Sequence, residues 1–168
     1  VTYTIEKKEY FQEFKINLVD GKFDKEEIKV SSSKVSLSKK DKKRSSEEYN
    51  RAMDIYASVS PKNYWYKDFI YPIDSKITSK FGTKRIFNNK VKSYHSGIDF
   101  KAWLNTKIHA SNNGVVRVAS NRFYAGNSVV IDHGQGIFTC YYHLNKIFVS
   151  VGDFVQRNDI VGLSGNTG

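Results

Sequence analysis

Apolar and polar residues alternate through the first forty positions: Val1, Tyr3 and Ile5, then Phe14, Ile16 and Leu18, then Ile28 and Val30, then Val35 and Leu37. Period-two alternation puts every second side chain on one face of a strand, and Asp20-Gly21 adds a turn signal between two of the runs. A few short strands are expected there. The period then lengthens. Ser45 followed three residues later by Glu48 has the form of a capping box, and Tyr49, Ala52, Met53 and Tyr56 follow at helical spacing. This predicts one amphipathic helix over about 46–58, ended by Pro61, whose Met and aromatic stripe is a packing surface. From about Tyr71 onward, glycines at 82, 97, 114, 126, 134, 136, 152, 162, 165 and 168 punctuate short runs of Val, Ile, Phe and Tyr. Turns at that spacing indicate many short strands, with Asn112-Asn113-Gly114 and Asp132-His133-Gly134 at hairpin positions. The expected fold class is therefore mainly β with antiparallel sheets: a main domain over 71–168, a linker over 61–70, and a small α+β accessory module over 1–60.

A length of 168 residues accommodates one such domain with a small partner module and a real core. The formal net charge of +10 attracts any polyanion, whether nucleic acid, lipid head groups or the anionic polymers and stem-peptide carboxylates of a bacterial wall. Charge alone does not choose among them, and without a recognised motif nucleic acid is not expected as a partner. The run Lys39, Lys40, Lys42, Lys43 and Arg44 reads as a solvated polar connection. Cys140 is the single cysteine, so no disulfide forms within the chain. Its apolar surroundings, Ile137 to Tyr142, suggest a small buried hydrophobe. No apolar run reaches the roughly twenty residues of a membrane span, and Val1 to Lys8 lack the pattern of a signal peptide. The alternating start suggests that something upstream was removed.

The candidate chemistry lies in the β-rich part, which holds all four histidines: His95, His109, His133 and His143. His95-Ser96-Gly97-Ile98-Asp99 places an imidazole and a carboxylate four residues apart, both zinc donors when the imidazole is neutral and the carboxylate ionised. In an extended segment they would lie roughly 13 Å apart. Donors on one zinc come within about 4 Å of each other, so the backbone must bend, and Gly97 permits the bend. Taken alone, the pair reads more readily as a surface-loop histidine and a turn or strand-end aspartate. His143 sits in an apolar run, Tyr142-His143-Leu144, where its ring could face a groove or be a satisfied core group.

Several separated motifs, in order, resemble the lysostaphin/LytM-type zinc peptidases over about 71–168. Ser79-Lys80-Phe81-Gly82 with Arg85 is similar to the opening motif of that family, and His95 to Phe100 to its H-x-x-x-D zinc motif. Asn113-Gly114-Val115-Val116, Gly126-Asn127-Ser128-Val129, Asp132-His133-Gly134 and Tyr142-His143-Leu144 follow, then Val151 to Val155, Ile160-Val161-Gly162 and Gly165-Asn166-Thr167-Gly168.

The resemblance implies that His95 and Asp99 ligate Zn²⁺ and that His143 is a catalytic residue beside the attacking water. It implies a zinc endopeptidase acting on peptidoglycan stem or cross-link peptides in the bacterial envelope, on the periplasmic side, with the accessory module positioning or shielding the groove. The family pattern places an H-x-H motif shortly after Gly165 to Gly168, so the third zinc ligand is expected from a following segment or a partner, and these 168 residues alone are expected to be inactive. A degenerate member that binds wall or a partner enzyme is the alternative. His109 and His133 match no ligand position and are assigned to structure.

Overall fold

The computed structural model describes residues 2–31, 36–89 and 91–168. Val1 and Val35, part of the predicted alternation, lie outside the described residues. Strands β1 (Thr2–Ile5) and β2 (Lys8–Phe11) form an antiparallel hairpin. The expected strand through Phe14, Ile16 and Leu18 does not form. These side chains are 60%, 78% and 95% exposed, so the alternation there has neither a core nor a sheet edge to bind to. The Ile28 run does form a strand, β3 (Lys25–Ile28), and it pairs parallel with β5 (Lys84–Phe87), with Glu26 opposite Arg85. Strand β6 (Val91–Tyr94) completes this three-stranded sheet antiparallel to β5.

Helix α1 spans Lys39–Ala57 and begins well before the predicted position. Its N-cap is Ser38, whose hydroxyl accepts from the Asp41 backbone N–H at 3.1 Å and donates to the Asp41 carboxylate at 2.7 Å. A cap with an acid in the first turn satisfies orphan donors and suits the helix dipole. The lysine run is thus helical rather than a connection, since lysine costs little in an exposed helix. Glu48 is used elsewhere: its carboxylate pairs with Arg44 one turn back and accepts from the Phe123 backbone N–H at 2.7 Å. It thereby ties α1 to the main sheet. No helix among the described residues is long and apolar enough to cross a membrane.

The main sheet holds six antiparallel strands in the order β12-β9-β10-β11-β13-β8. They are β8 (Lys107–His109), β9 (Gly114–Arg122), β10 (Gly126–Gly134), β11 (Ile137–Ile147), β12 (Phe154–Val155) and β13 (Ile160–Ser164). Central β10 is almost wholly buried, and with its neighbours it forms a core of Ile108, Ala110, Val116, Val129, Ile131, Tyr141, Leu144, Val155 and Val161. Strands β4 (Ile77–Ser79) and β7 (Asp99–Phe100) make a separate antiparallel pair. The segment read as a linker runs along this domain, with Tyr64 N–H donating to His133 O and Ile70 N–H to Ser111 O.

The β10–β11 hairpin turns at Gln135-Gly136, both at positive φ, one step beyond the predicted Asp132-His133-Gly134. His133 is a fully buried strand residue. Its Nδ1 donates to Asn113 O at 2.6 Å and its Nε2 accepts from the Thr139 hydroxyl at 2.8 Å. Cys140 is exposed, contrary to expectation, because alternation along β11 buries Tyr141 and turns Cys140 toward the Tyr56 hydroxyl, 3.4 Å away.

Burial holds the His133 pKa below its ordinary 6.5, outweighing the Asn113 bond and the Asp132 charge that favour protonation. The unfolded chain therefore binds more protons below about pH 6.5, and the stability this gives is present above that pH and lost as pH falls toward the folded pKa. Melting temperature followed from pH 7.5 to 5 is expected to fall more steeply in the native protein than in His133→Asn. Equal slopes would refute the assignment.

Candidate metal centre

The site is framed by short backbone pairings. His95 donates its N–H to Thr83 O at 2.9 Å and accepts from Gly82 N–H at 2.8 Å, so it is fixed against the turn after β4. Gly82 lies at φ +81, a left-handed conformation that favours glycine. Asp99 opens β7 and is paired with Ser79 of β4. Between them the chain bends at Gly97, as expected. Its φ is not left-handed, and a Cβ there would lie in ordinary contact, 3.8 Å from His95 Nε2. What glycine supplies is space beside that nitrogen. The bend brings His95 Nε2 to 3.2 Å from Asp99 Oδ1.

The hydrogen bonds define what that pair can do. His95 Nδ1 lies 3.1 Å from the Lys80 carbonyl, which can only accept, so the proton of a neutral ring sits on Nδ1. Ser79 Oγ, 3.3 Å away, supports the same nitrogen. Nε2 then presents a lone pair to a carboxylate oxygen, two acceptors face to face, an arrangement that calls for a cation or a proton between them. Tetrahedral zinc ligands at about 2.0–2.1 Å lie roughly 3.3 Å apart, which this separation matches. The other aspartate oxygen, Oδ2, accepts from Arg85 Nη2 at 2.5 Å. Arg85 also bonds Ser79 Oγ (3.0 Å) and, through Nε, Glu26 (2.5 Å). Burial disfavours the charge of Arg85, but its bonds to Asp99 and Glu26 outweigh that and raise its pKa above the ordinary guanidinium value. The residues present therefore fit a zinc ion as two of its ligands. Among the described residues no group of three or more His, Cys, Asp or Glu side chains is placed to hold a metal.

His143 lines the same groove, a cleft of about 950 Å³ whose walls include His95, Asp99, Tyr94, Phe100 and Tyr142. It occupies an irregularity of the β10–β11 pairing, where Tyr142 and His143 of β11 face the single residue Ser128 of β10, and takes φ 59. Such bulges re-aim a side chain. Its N–H donates to Ala125 O at 2.8 Å, and Nδ1 donates to Thr167 O at 2.6 Å, leaving Nε2 as the basic nitrogen. The Thr167 segment is itself stapled to the hairpin, its hydroxyl donating to Leu144 O and accepting from Asn127 N–H. Gly126, at φ +62, has no room for a Cβ because the Thr167 carbonyl lies against it. His109 and His133 are not among the groove residues. His109 lies at a sheet edge with Nδ1 donating to Asn158 O at 2.8 Å.

Sequence reasoning missed Glu26 and the Thr167 carbonyl. The pairing of Glu26 with Arg85 joins positions 59 apart in a parallel register, which no local pattern announces.

Residues 93–168 match the family model described as Peptidase family M23. The chain is 39% identical over 132 residues to the peptidoglycan DD-endopeptidase ShyA of Vibrio cholerae, covering 71% of this chain and 31% of that protein. It thus spans about a third of the length of that curated relative. Among solved structures, a zinc containing peptidase from Vibrio cholerae superposes with a TM-score of 0.57 at 36% identity, covering 61% of this chain and 33% of that one. The catalytic domain of the antimicrobial peptidase lysostaphin from Staphylococcus simulans superposes with a TM-score of 0.51 at 31% identity, covering 56% of this chain and 71% of that one.

Proposed function

Because this chain belongs to peptidase family M23, we propose that the protein is a zinc-dependent endopeptidase that hydrolyses stem or cross-link peptides of bacterial peptidoglycan during wall remodelling, on the periplasmic side of the cell envelope. The observation that carries the reading is the convergence of His95 Nε2 on Asp99 Oδ1 at 3.2 Å with the imidazole proton held on the far nitrogen. The ShyA relative supports the substrate class, and the zinc containing neighbour supports the metal.

In this reading His95 and Asp99 are zinc ligands. When bound, zinc would lower the pKa of a water toward about 7 and polarise a carbonyl. The protein side chains supply the rest. Lys80 and Ser79 fix the tautomer of His95, and Arg85 holds Oδ2 so that Oδ1 faces the imidazole. His143, with Nδ1 committed to Thr167 O, offers Nε2 to accept a proton of the attacking water and, once protonated, to donate to the negative oxygen of the tetrahedral intermediate. The groove, lined by Tyr94, Phe100 and Tyr142, suits an extended peptide whose carboxylates are attracted by the positive chain.

Purified peptidoglycan incubated with the intact protein is expected to release cleaved peptides, scored by chromatography and mass spectrometry, and a chelator is expected to stop the release until zinc is restored. Cleavage indifferent to chelator would contradict the reading. Wall binding with no cleavage under any metal condition would favour a non-catalytic wall-binding role instead.

A further inference from the structure

We propose that Arg85 is a positioning residue for Asp99 and that Glu26, on strand β3, fixes Arg85 in turn, so that the segment ahead of helix α1 is a working part of the metal centre. The inference rests on reading His95 and Asp99 as zinc ligands. Arg85 and Glu26 both lie outside 93–168, the stretch matched by the family model.

The geometry runs through one guanidinium. Arg85 Nε donates to Glu26 Oε1 at 2.5 Å, and Nη2 donates to Asp99 Oδ2 at 2.5 Å and to Ser79 Oγ at 3.0 Å. The Arg85 side chain is 19% exposed, against 34% for Glu26 and 46% for Asp99. A planar fork holding two carboxylates through different nitrogens cannot swing toward one without breaking the other. Asp99 therefore has Oδ2 occupied and Oδ1 turned to His95 Nε2, which fixes it as a one-oxygen donor. Glu26 is placed by backbone, not by chance of rotamer, because β3 and β5 pair in register with Glu26 opposite Arg85, and Val30 and Asn88 lock the end of the pairing through two hydrogen bonds.

Charge gives Glu26 a second effect. An uncompensated guanidinium beside a dication opposes metal binding, whereas Glu26 and Asp99 together outnumber Arg85 by one negative charge. Removing Glu26 both loosens the fork and leaves Arg85 balanced by Asp99 alone, which lowers the net negative charge facing the metal by one. Outer partners of metal ligands are typically worth 10–100-fold in affinity.

The test is a double-mutant cycle on zinc affinity in the intact protein, read by competition with a chromophoric chelator, with Co²⁺ absorption reporting ligand geometry and melting temperature reporting the fold. Arg85→Ala is expected to weaken zinc about 10–100-fold and Glu26→Ala up to about tenfold. In the Arg85→Ala background, Glu26→Ala is expected to add less than twofold, because Glu26 acts through Arg85. Arg85→Lys, with charge but no fork, is expected to bind zinc no better than Arg85→Ala. If Glu26→Ala does not fold, Glu26→Gln, which keeps the shape and loses the charge, takes its place in the cycle. Native affinity in the Glu26 variant, additive losses in the double variant, or full rescue by lysine would each overturn the proposal while zinc loss in His95→Ala leaves the ligand reading standing. Native zinc affinity in His95→Ala would overturn the ligand reading and this proposal together.

Discussion

Replacing His143 with alanine is expected to lower kcat on peptidoglycan peptides by about 10²–10⁴ while leaving bound zinc unchanged, the range typical of a positioned acid or base. The two halves of that expectation come from different features. His143 stands on β11, in the irregular register opposite β10, whereas His95 and Asp99, the proposed ligand pair, are held by the turn after β4 and the start of β7. Its ring is oriented by the Thr167 carbonyl, not by the ligand pair. Loss of the imidazole therefore removes a proton carrier without altering the donors. Metal analysis alongside steady-state kinetics separates the outcomes: zinc lost together with activity would make His143 a ligand, and activity retained within a few-fold would remove it from the chemistry.

Replacing Asp99 with asparagine is expected to cost more zinc affinity than the roughly 10–100-fold carried by outer partners, because a ligand itself loses its charge. The carboxylate does two jobs at once. Oδ1 faces His95 Nε2 and Oδ2 takes the Arg85 bond, so an amide supplies at most one of these as an acceptor and turns a donor toward the other. Arg85, only 19% exposed, is also left with one carboxylate in place of two. Zinc affinity by chelator competition checks the expectation, and a loss of less than tenfold would place Asp99 outside the ligand set.

The β-rich architecture was legible from glycine punctuation because turns need positive φ or a close backbone approach, as Gly126 and Gly136 display. The convergence of His95 on Asp99 was legible too, since a four-residue separation leaves only a bend to bring the side chains together. Three features were not. Helix α1 begins at a cap, Ser38 with Asp41, that competes with an equally well-formed signal at Ser45 and Glu48. Ser38 is the cap, and Glu48 turns instead to Phe123, a contact 75 residues away. Alternation through Phe14, Ile16 and Leu18 reads as strand, yet a strand needs a partner edge, and sequence period alone does not supply one. The Asp132-His133-Gly134 turn signal loses to burial: His133 has both ring nitrogens bonded inside the sheet, and the chain turns two residues later at Gln135-Gly136. Within the site, His95 and Asp99 could be singled out from their motif, whereas the groups that orient them come from carbonyls and from a parallel strand pairing, neither of which leaves a side-chain pattern.

The most direct test of the account is the zinc content of the intact protein, after purification without added metal, compared with His95→Ala and Asp99→Asn prepared alike and shown to be folded. About one zinc is expected per native chain and little or none in either variant. Native zinc content in His95→Ala would contradict it.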